Sequence, residues 1–175
     1  KNFNRISLLK EDVIISGSAV LDKSLSEFAT ENHLSGFEFL SCIPGSIGGG
    51  IKMNAGCFGK EFKDILLSIQ AINKKGNLIT IPSKEINFDY RKNDLSDDLI
   101  FLSASFKGVK STFNKVNSEV IKMKSLKEKN QPMRIKTGGS TFKNPINQTN
   151  KKVWELIRES VSIDTKFGDA HISEK

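Results

Sequence analysis

Two residues have types and neighbours suited to chemistry. Arg91 follows Phe88-Asp89-Tyr90. A guanidinium so placed can hold a carboxylate or a phosphate through two parallel hydrogen bonds. It can equally form a surface ion pair. Ser140 follows Gly138-Gly139, which presents its hydroxyl on a tight turn. That hydroxyl can face a ligand or close a local turn. A longer feature lies upstream, at Ile43-Pro44-Gly45-Ser46-Ile47-Gly48-Gly49-Gly50 and on through Met53-Asn54-Ala55-Gly56-Cys57-Phe58-Gly59. Six of the 13 glycines fall in these 17 residues. Glycine takes positive φ and lets other atoms approach the backbone closely, and successive N–H groups in such a loop can converge on an anion. Two readings stay open: a structural turn, or a cradle for a phosphate-bearing ligand. The spacing matches neither GxGxxG nor GxxxxGK[ST].

Other reactive side chains offer less. His33 and His171 are isolated, which argues against histidine acid–base catalysis. Asp97-Asp98 sits in a polar turn and reads as solvated. Cys42 and Cys57 lie 15 positions apart, with no CxxC and no histidine at ligand spacing, so no metal site is expected. Two reduced thiols packed near the glycine loop are expected instead.

The elements that must position these groups follow from pattern. Asp12 to Ser18 reads as a buried strand ending in a turn. Ser24-Leu25-Ser26-Glu27 has capping-box spacing and opens a helix with Leu25, Phe28 and Ala29 on one face. Phe37-Glu38-Phe39-Leu40 alternates like a strand and leads into the glycine loop, with a short helix to follow. Ile65–Asn73 and Leu78–Ile81 form a hairpin around Lys74-Lys75-Gly76-Asn77. Pro82 stops it, and a single helical turn spans Ser83–Ile86. Leu99–Lys107 is a further strand. After Gly108 the period changes: Phe113, Val116, Val120 and Met123 mark a lysine-rich helix that ends at Gln131-Pro132. A polar loop (Asn147–Asn150) and a helix with Val153, Trp154, Ile157 and Val161 on one face complete the pattern. A boundary between lobes is expected near residue 108.

A chain of 175 residues supports one good core or two small lobes. With 27 basic and 20 acidic residues, the net charge is +7. Lys122, Lys124, Lys127, Lys129, Arg134 and Lys136 crowd into one stretch, as a solvated helix face or as a field for a polyanionic small ligand. No helix-turn-helix, RNP or zinc pattern supports nucleic acid. No run of 18 apolar residues predicts a membrane span, and no hydrophobic segment follows the basic N-terminus. A cytoplasmic protein is expected.

Four motifs then resemble one family. Phe37 to Leu40 with Ile43 to Gly59 is similar to the flavin-binding block of the UDP-N-acetylenolpyruvoylglucosamine reductases, the MurB family. Phe88-Asp89-Tyr90-Arg91 resembles its F-x-Y-R motif. Gln131-Pro132 with Thr137 to Pro145 resembles its Q-P…G-S-x-F-K-N-P motif. Gly168-Asp169-Ala170 with Ser173-Glu174-Lys175 resembles its G-[GD]-A-x-x-S-E-K segment. The resemblance implies an α+β fold: the second half of a PCMH/vanillyl-alcohol-oxidase-type FAD-binding domain (1–108) plus part of a MurB substrate-binding domain (109–175). It implies FAD and NADPH as cofactors and a small-molecule substrate, UDP-N-acetylglucosamine enolpyruvate, reduced to UDP-N-acetylmuramate for peptidoglycan. Ser140 would protonate the carbanion, and Arg91 would stabilise the carboxylate and the developing enolate. Pro44, Gly45, Ser46, Gly48, Gly49, Asn54, Gly56, Cys57 and Gly59 would contact the cofactor. Tyr90, Gln131, Lys143 and Asn144 would contact the substrate. A monomer with no nucleic-acid or membrane partner is expected.

The resemblance also implies a chain truncated at both ends. The family's G-x-G-S-N pyrophosphate loop would precede Lys1, and its catalytic glutamate would follow Lys175. Weakened FAD affinity is therefore expected. The alternative is an inactive fragment that keeps only ligand or partner binding.

Overall fold

The computed structural model describes residues 3–130 and 141–172. Gln131, Ser140 and Ser173-Glu174-Lys175 lie outside the described residues. The chain divides into two compact units, Lys1–Thr137 and Gly138–Lys175.

The first unit is built on a five-stranded antiparallel sheet. Its strands are β1 (Ile6–Lys10), β2 (Val13–Gly17), β3 (Leu66–Ile72), β4 (Leu78–Pro82) and β5 (Ile100–Lys107), in spatial order β1-β2-β5-β3-β4. Register runs Ala104 opposite Ser16 on one side of β5 and opposite Ile69 on the other. The hairpin between β3 and β4 forms as its sequence predicts. Asn73 Oδ1 accepts the N–H groups of Lys75 (2.9 Å) and Asn77 (3.1 Å), and Gly76 takes φ +78°. Side chains alternate across the sheet, so Ile14, Ile69, Ala71, Ala104 and Phe106 face inward.

Helices cover that inward face. Helix α1 (Asp22–Glu31) buries Leu25 and Ala29 completely. Helix α2 (Ile47–Lys52) lies within the glycine loop, and helix α3 (Phe113–Asn130) buries Val116 and Val120. Four phenylalanines knit the centre edge to face: Phe37 with Phe106 (6.5 Å), Phe106 with Phe62 (6.1 Å) and Phe62 with Phe39 (6.3 Å). Each pair adds about 1 kcal/mol beyond its area burial.

Two local expectations are corrected. Phe37–Leu40 is no strand, because Glu38–Cys42 forms a 3-10 helix. Phe37, Glu38, Phe39 and Leu40 are all buried, so no outward face exists to alternate with. Glu38 tolerates this because its Oε2 accepts the Gly36 N–H at 2.8 Å. Helix α1 begins at Asp22 rather than after Ser24, with Leu21 at the N-cap and no side-chain cap. The helical turn near Ser83 and the long lysine-rich helix appear as read, the latter packed against the 3-10 helix and α1. The change of pattern at residue 108 falls inside the first unit. A Cβ on Gly108 would stand 2.8 Å from the Phe37 ring, so the chain passes close over the core there.

In the second unit, helix α4 (Val153–Ser160) follows a polar loop, and Lys166–Phe167 pairs with Ala170–His171 as a small hairpin. No residue of α4 is buried. Lys151 Nζ grips both carboxylate oxygens of Glu159 at 2.8 Å.

Candidate functional site

The glycine loop is stitched to the turn between β2 and α1. The Asp22 N–H donates to the Gly45 carbonyl (3.1 Å), Ile47 to Val20 (2.9 Å) and Gly48 to Ser18 (2.8 Å). The first N–H groups of α2 are thus committed to protein carbonyls. Some glycines here serve packing. A Cβ on Gly50 would fall 2.3 Å from the Phe62 ring, and one on Gly48 would fall 3.2 Å from the Ser18 side chain. Gly49 and Gly59 differ: a Cβ would meet only Ser46 Oγ at 3.7 Å, or nothing within 4 Å. Pro44 and Gly45 are exposed, and the Ser46 hydroxyl caps nothing.

Asn54 organises the second half of the loop. It is fully buried at φ +40°, a conformation asparagine tolerates better than most residues. Its amide donates to Glu61 Oε2 (2.9 Å) and to the Asp89 carbonyl (3.1 Å), and its Oδ1 accepts the Lys63 N–H (3.1 Å). Gly56–Cys57 and Lys60–Glu61 pair around a turn at Phe58 (φ +52°) and Gly59 (φ +77°). The Asn54 side chain thereby ties this hairpin to the segment that carries Arg91.

Tyr90 and Arg91 form the turn between Phe88–Asp89 and Lys92–Asn93. Asn93 moors that hairpin, its amide donating to the Ile51 and Lys52 carbonyls at 2.9 Å. Arg91 holds φ +54°, a strained value for a non-glycine residue. Its guanidinium donates to the Gly56 carbonyl (2.7 Å) and the Asn54 carbonyl (3.3 Å). It stands 3.8 Å from Glu61 and 5.0 Å from the Tyr90 ring centroid. Gly56, Cys57, Gly59, Glu61, Tyr90 and Arg91 line one open cleft of about 330 Å³.

Two further groups border the loop. Asp22 is fully buried, and neither carboxyl oxygen has a partner among the described residues. Burial raises its pKa to about 7. A Cβ on Gly45 would lie 2.9 Å from Asp22 Oδ2, so the carboxyl abuts the loop. The Cys42 and Cys57 thiols are both free, as expected. Their mutual interaction holds the Cys42 pKa down and pushes that of Cys57 up.

In the second unit, Lys143 and Asn144 are exposed. Asn144 Oδ1 accepts the first N–H of α4, from Val153, at 3.0 Å. The structure brings Asn54, Gly56, Cys57, Gly59, Tyr90 and Arg91 together. It places Pro44 to Gly49 on the segment stitched to β2 and α1. Glu61 and Asp22 were not singled out from the sequence. The Glu61-x-x-Asp64 spacing carried a signal, since Glu61 N–H bonds Asp64 in a capping box. Asp22 carried none, because an acid in a first helical turn ordinarily faces water. The groups present suit a flavin dinucleotide: orphan carboxyl oxygens for a hydroxyl or amino donor, a free serine hydroxyl, open glycine edges and a fixed cation. Among the described residues no cluster of three His, Cys, Asp or Glu could hold a metal, and no helix is long and apolar enough to cross a membrane.

The model of an FAD binding domain matches residues 1–82. The UDP-N-acetylenolpyruvoylglucosamine reductase of Pelagibacter ubique (strain HTCC1062) is 63% identical over all 175 residues, which cover 58% of that protein. The enzyme of the same name from Rickettsia typhi is 44% identical over 174 residues, again 58% of its length. The crystal structure of UDP-N-acetylenolpyruvylglucosamine reductase (MurB) from Thermus caldophilus superposes with a TM-score of 0.83 at 30% identity, covering 98% of this chain and 61% of that one. The chain thus spans about three fifths of the length of the relatives it matches. Over that span the chain is similar in α+β fold and in sequence to the UDP-N-acetylenolpyruvoylglucosamine reductases (MurB).

Proposed function

We propose that the chain is the part of an NADPH-dependent, FAD-mediated reductase that carries one wall of the flavin site and part of the substrate site. The whole protein would reduce UDP-N-acetylglucosamine enolpyruvate to UDP-N-acetylmuramate in the cytoplasm, as a monomer. When bound, FAD supplies the hydride relay between NADPH and the enolpyruvyl double bond.

The observation that carries this reading is the mooring of Arg91 to the Asn54 and Gly56 carbonyls. Two contacts to the glycine loop fix the cation at the loop's edge before any ligand arrives. A guanidinium has five N–H donors, so others are left for an anion. Aimed at a substrate carboxylate, they stabilise charge as it builds toward the enolate, and a preorganised donor needs little rearrangement to do so. Tyr90, stacked on Arg91, walls the same cleft. Ser140 is assigned the proton that quenches the carbanion, and Gln131, Lys143 and Asn144 hold the UDP-sugar. Residues 109–175 would serve substrate binding, and residues 1–108 the cofactor. The +7 charge suits a diphosphate ligand.

Ser140→Ala separates the half-reactions. Reduction of the flavin by NADPH should proceed at the parent rate, while its reoxidation by the enolpyruvyl substrate should fall at least about 100-fold. Equal reoxidation rates would remove Ser140 from the mechanism.

A further inference from the structure

Glu61 stands just beyond the glycine loop, on the second strand of the hairpin that follows Asn54. It lies opposite Gly56 in that hairpin, and its N–H donates to Asp64 Oδ2 at 2.9 Å. Its side chain runs across Gly56: a Cβ there would fall 2.7 Å from Glu61 Cγ. The carboxylate then meets three groups. Oε2 accepts from the Asn54 amide and from the Lys63 ammonium, each at 2.9 Å. Oε1 lies 3.8 Å from Arg91 Nη1. Asn54 and Gly56 are the residues whose carbonyls hold the Arg91 guanidinium. Glu61 is therefore tied to both anchors of Arg91 and to the guanidinium itself.

The local charges explain why an acid is needed at this point. Lys63 and Arg91 line the same cleft and share one carboxylate between them. That places the two cations within the screening length of about 10 Å at 0.1 M salt, so without Glu61 they repel. The Glu61 and Arg91 side chains are 21% and 27% exposed, against 94% for the acid in the Lys52–Asp97 pair, so solvent screens the first pair less.

We infer that Glu61 is a positioning residue for Arg91: its carboxylate bridges Arg91 and Lys63, offsets their repulsion and holds the guanidinium on the Asn54 and Gly56 carbonyls. The remaining guanidinium N–H groups are then kept in the cleft for a carboxylate ligand. The identity of that ligand rests on the proposed function, whereas the hold on Arg91 does not.

Arginine side-chain NMR on the 175-residue chain tests this. The chain has four arginines, Arg5, Arg91, Arg134 and Arg158, so isotopic labelling of arginine nitrogen gives few guanidinium signals. The signal missing from Arg91→Lys is that of Arg91. A guanidinium held through both terminal nitrogens turns slowly about its Nε–Cζ bond. In Glu61→Gln that rotation should be at least about 10-fold faster at Arg91, the scale of one charge-assisted hydrogen bond lost. Adding Lys63→Ala removes the repelling charge and should bring the rotation back to within about 3-fold of the parent rate. Glu61→Asp keeps the charge but withdraws it by one methylene. It too should speed the rotation, and it carries the test if Glu61→Gln does not fold. Parental rotation in either single variant would overturn the inference. So would a double variant as fast as Glu61→Gln, because Glu61 would then serve only to fold the hairpin.

The half-reactions are read separately on the same proteins. In Glu61→Gln, reoxidation of the flavin by saturating enolpyruvyl substrate should fall at least about 10-fold while flavin reduction by NADPH keeps the parent rate. Faster Arg91 rotation with parental reoxidation would overturn the positioning role. No flavin chemistry in any of the proteins, the parent included, would count against the proposed function and leave the hold of Glu61 on Arg91 standing.

Discussion

Arg91 holds a positive φ in a tight hairpin turn, and its guanidinium is anchored to the Asn54 and Gly56 carbonyls. Replacing it with alanine should remove two hydrogen bonds to the loop and cost about 1–3 kcal/mol of stability, measured by urea unfolding. Arg91→Lys keeps the charge but loses the planar fork. We expect substrate reduction to drop at least about 100-fold in Arg91→Lys with flavin reduction by NADPH preserved, read by stopped-flow absorbance. Equal turnover in the two proteins would dissociate Arg91 from the chemistry. Asp22 makes a pH prediction. Its folded pKa, about 7, stands above its ordinary 3.8. The folded state therefore holds a proton that the unfolded state releases. The associated stability is complete below about pH 4 and is lost as pH rises toward 7, about 4 kcal/mol in all. Asp22→Asn should flatten that slope and raise the melting temperature at pH 8. An unchanged slope between pH 4 and 7 would mean that Asp22 is solvated or paired.

At the scale of elements, the glycine loop has two jobs that its spacing alone did not separate. Gly48 and Gly50 permit close packing, and the open edges fall at Gly49 and Gly59. Gly50→Ala should drive a methyl into the Phe62 ring and destabilise the protein by about 1–3 kcal/mol in thermal unfolding. A neutral effect would show that the Phe39–Phe62–Phe106 contacts can shift at no cost. The strands and the long helix were legible because their apolar residues repeat at one period. The Phe37–Leu40 segment was not, because contiguous burial imitates alternation when the one polar residue, Glu38, finds an internal partner. The arginine hairpin was also hidden. Its two short strands leave no periodicity, and the Asn54 and Asn93 bonds that define it span more than 30 residues.

At the scale of the molecule, the hydrophobic core among the described residues lies within the first unit. A chain ending at Thr137 should therefore still unfold cooperatively by calorimetry. A non-cooperative trace would assign the core a dependence on residues 138–175. The family resemblance was legible from four ordered motifs, each with several residues at fixed spacing. The partnership of Asp22 with Gly45 was not, because that pair follows no spacing rule.

The central claim is that the loop from Ile43 to Gly59 is one wall of a flavin site, and a titration of the protein with FAD against Gly49→Val tests it most directly. Gly49 is exposed and its Cβ would meet only Ser46 Oγ, so valine leaves the fold intact while filling the open edge. The account predicts a saturable perturbation of the flavin absorbance in the parent protein, and an affinity at least about 10-fold weaker in the variant at unchanged melting temperature. Equal affinities, or a flavin spectrum that the parent protein never perturbs, would contradict it.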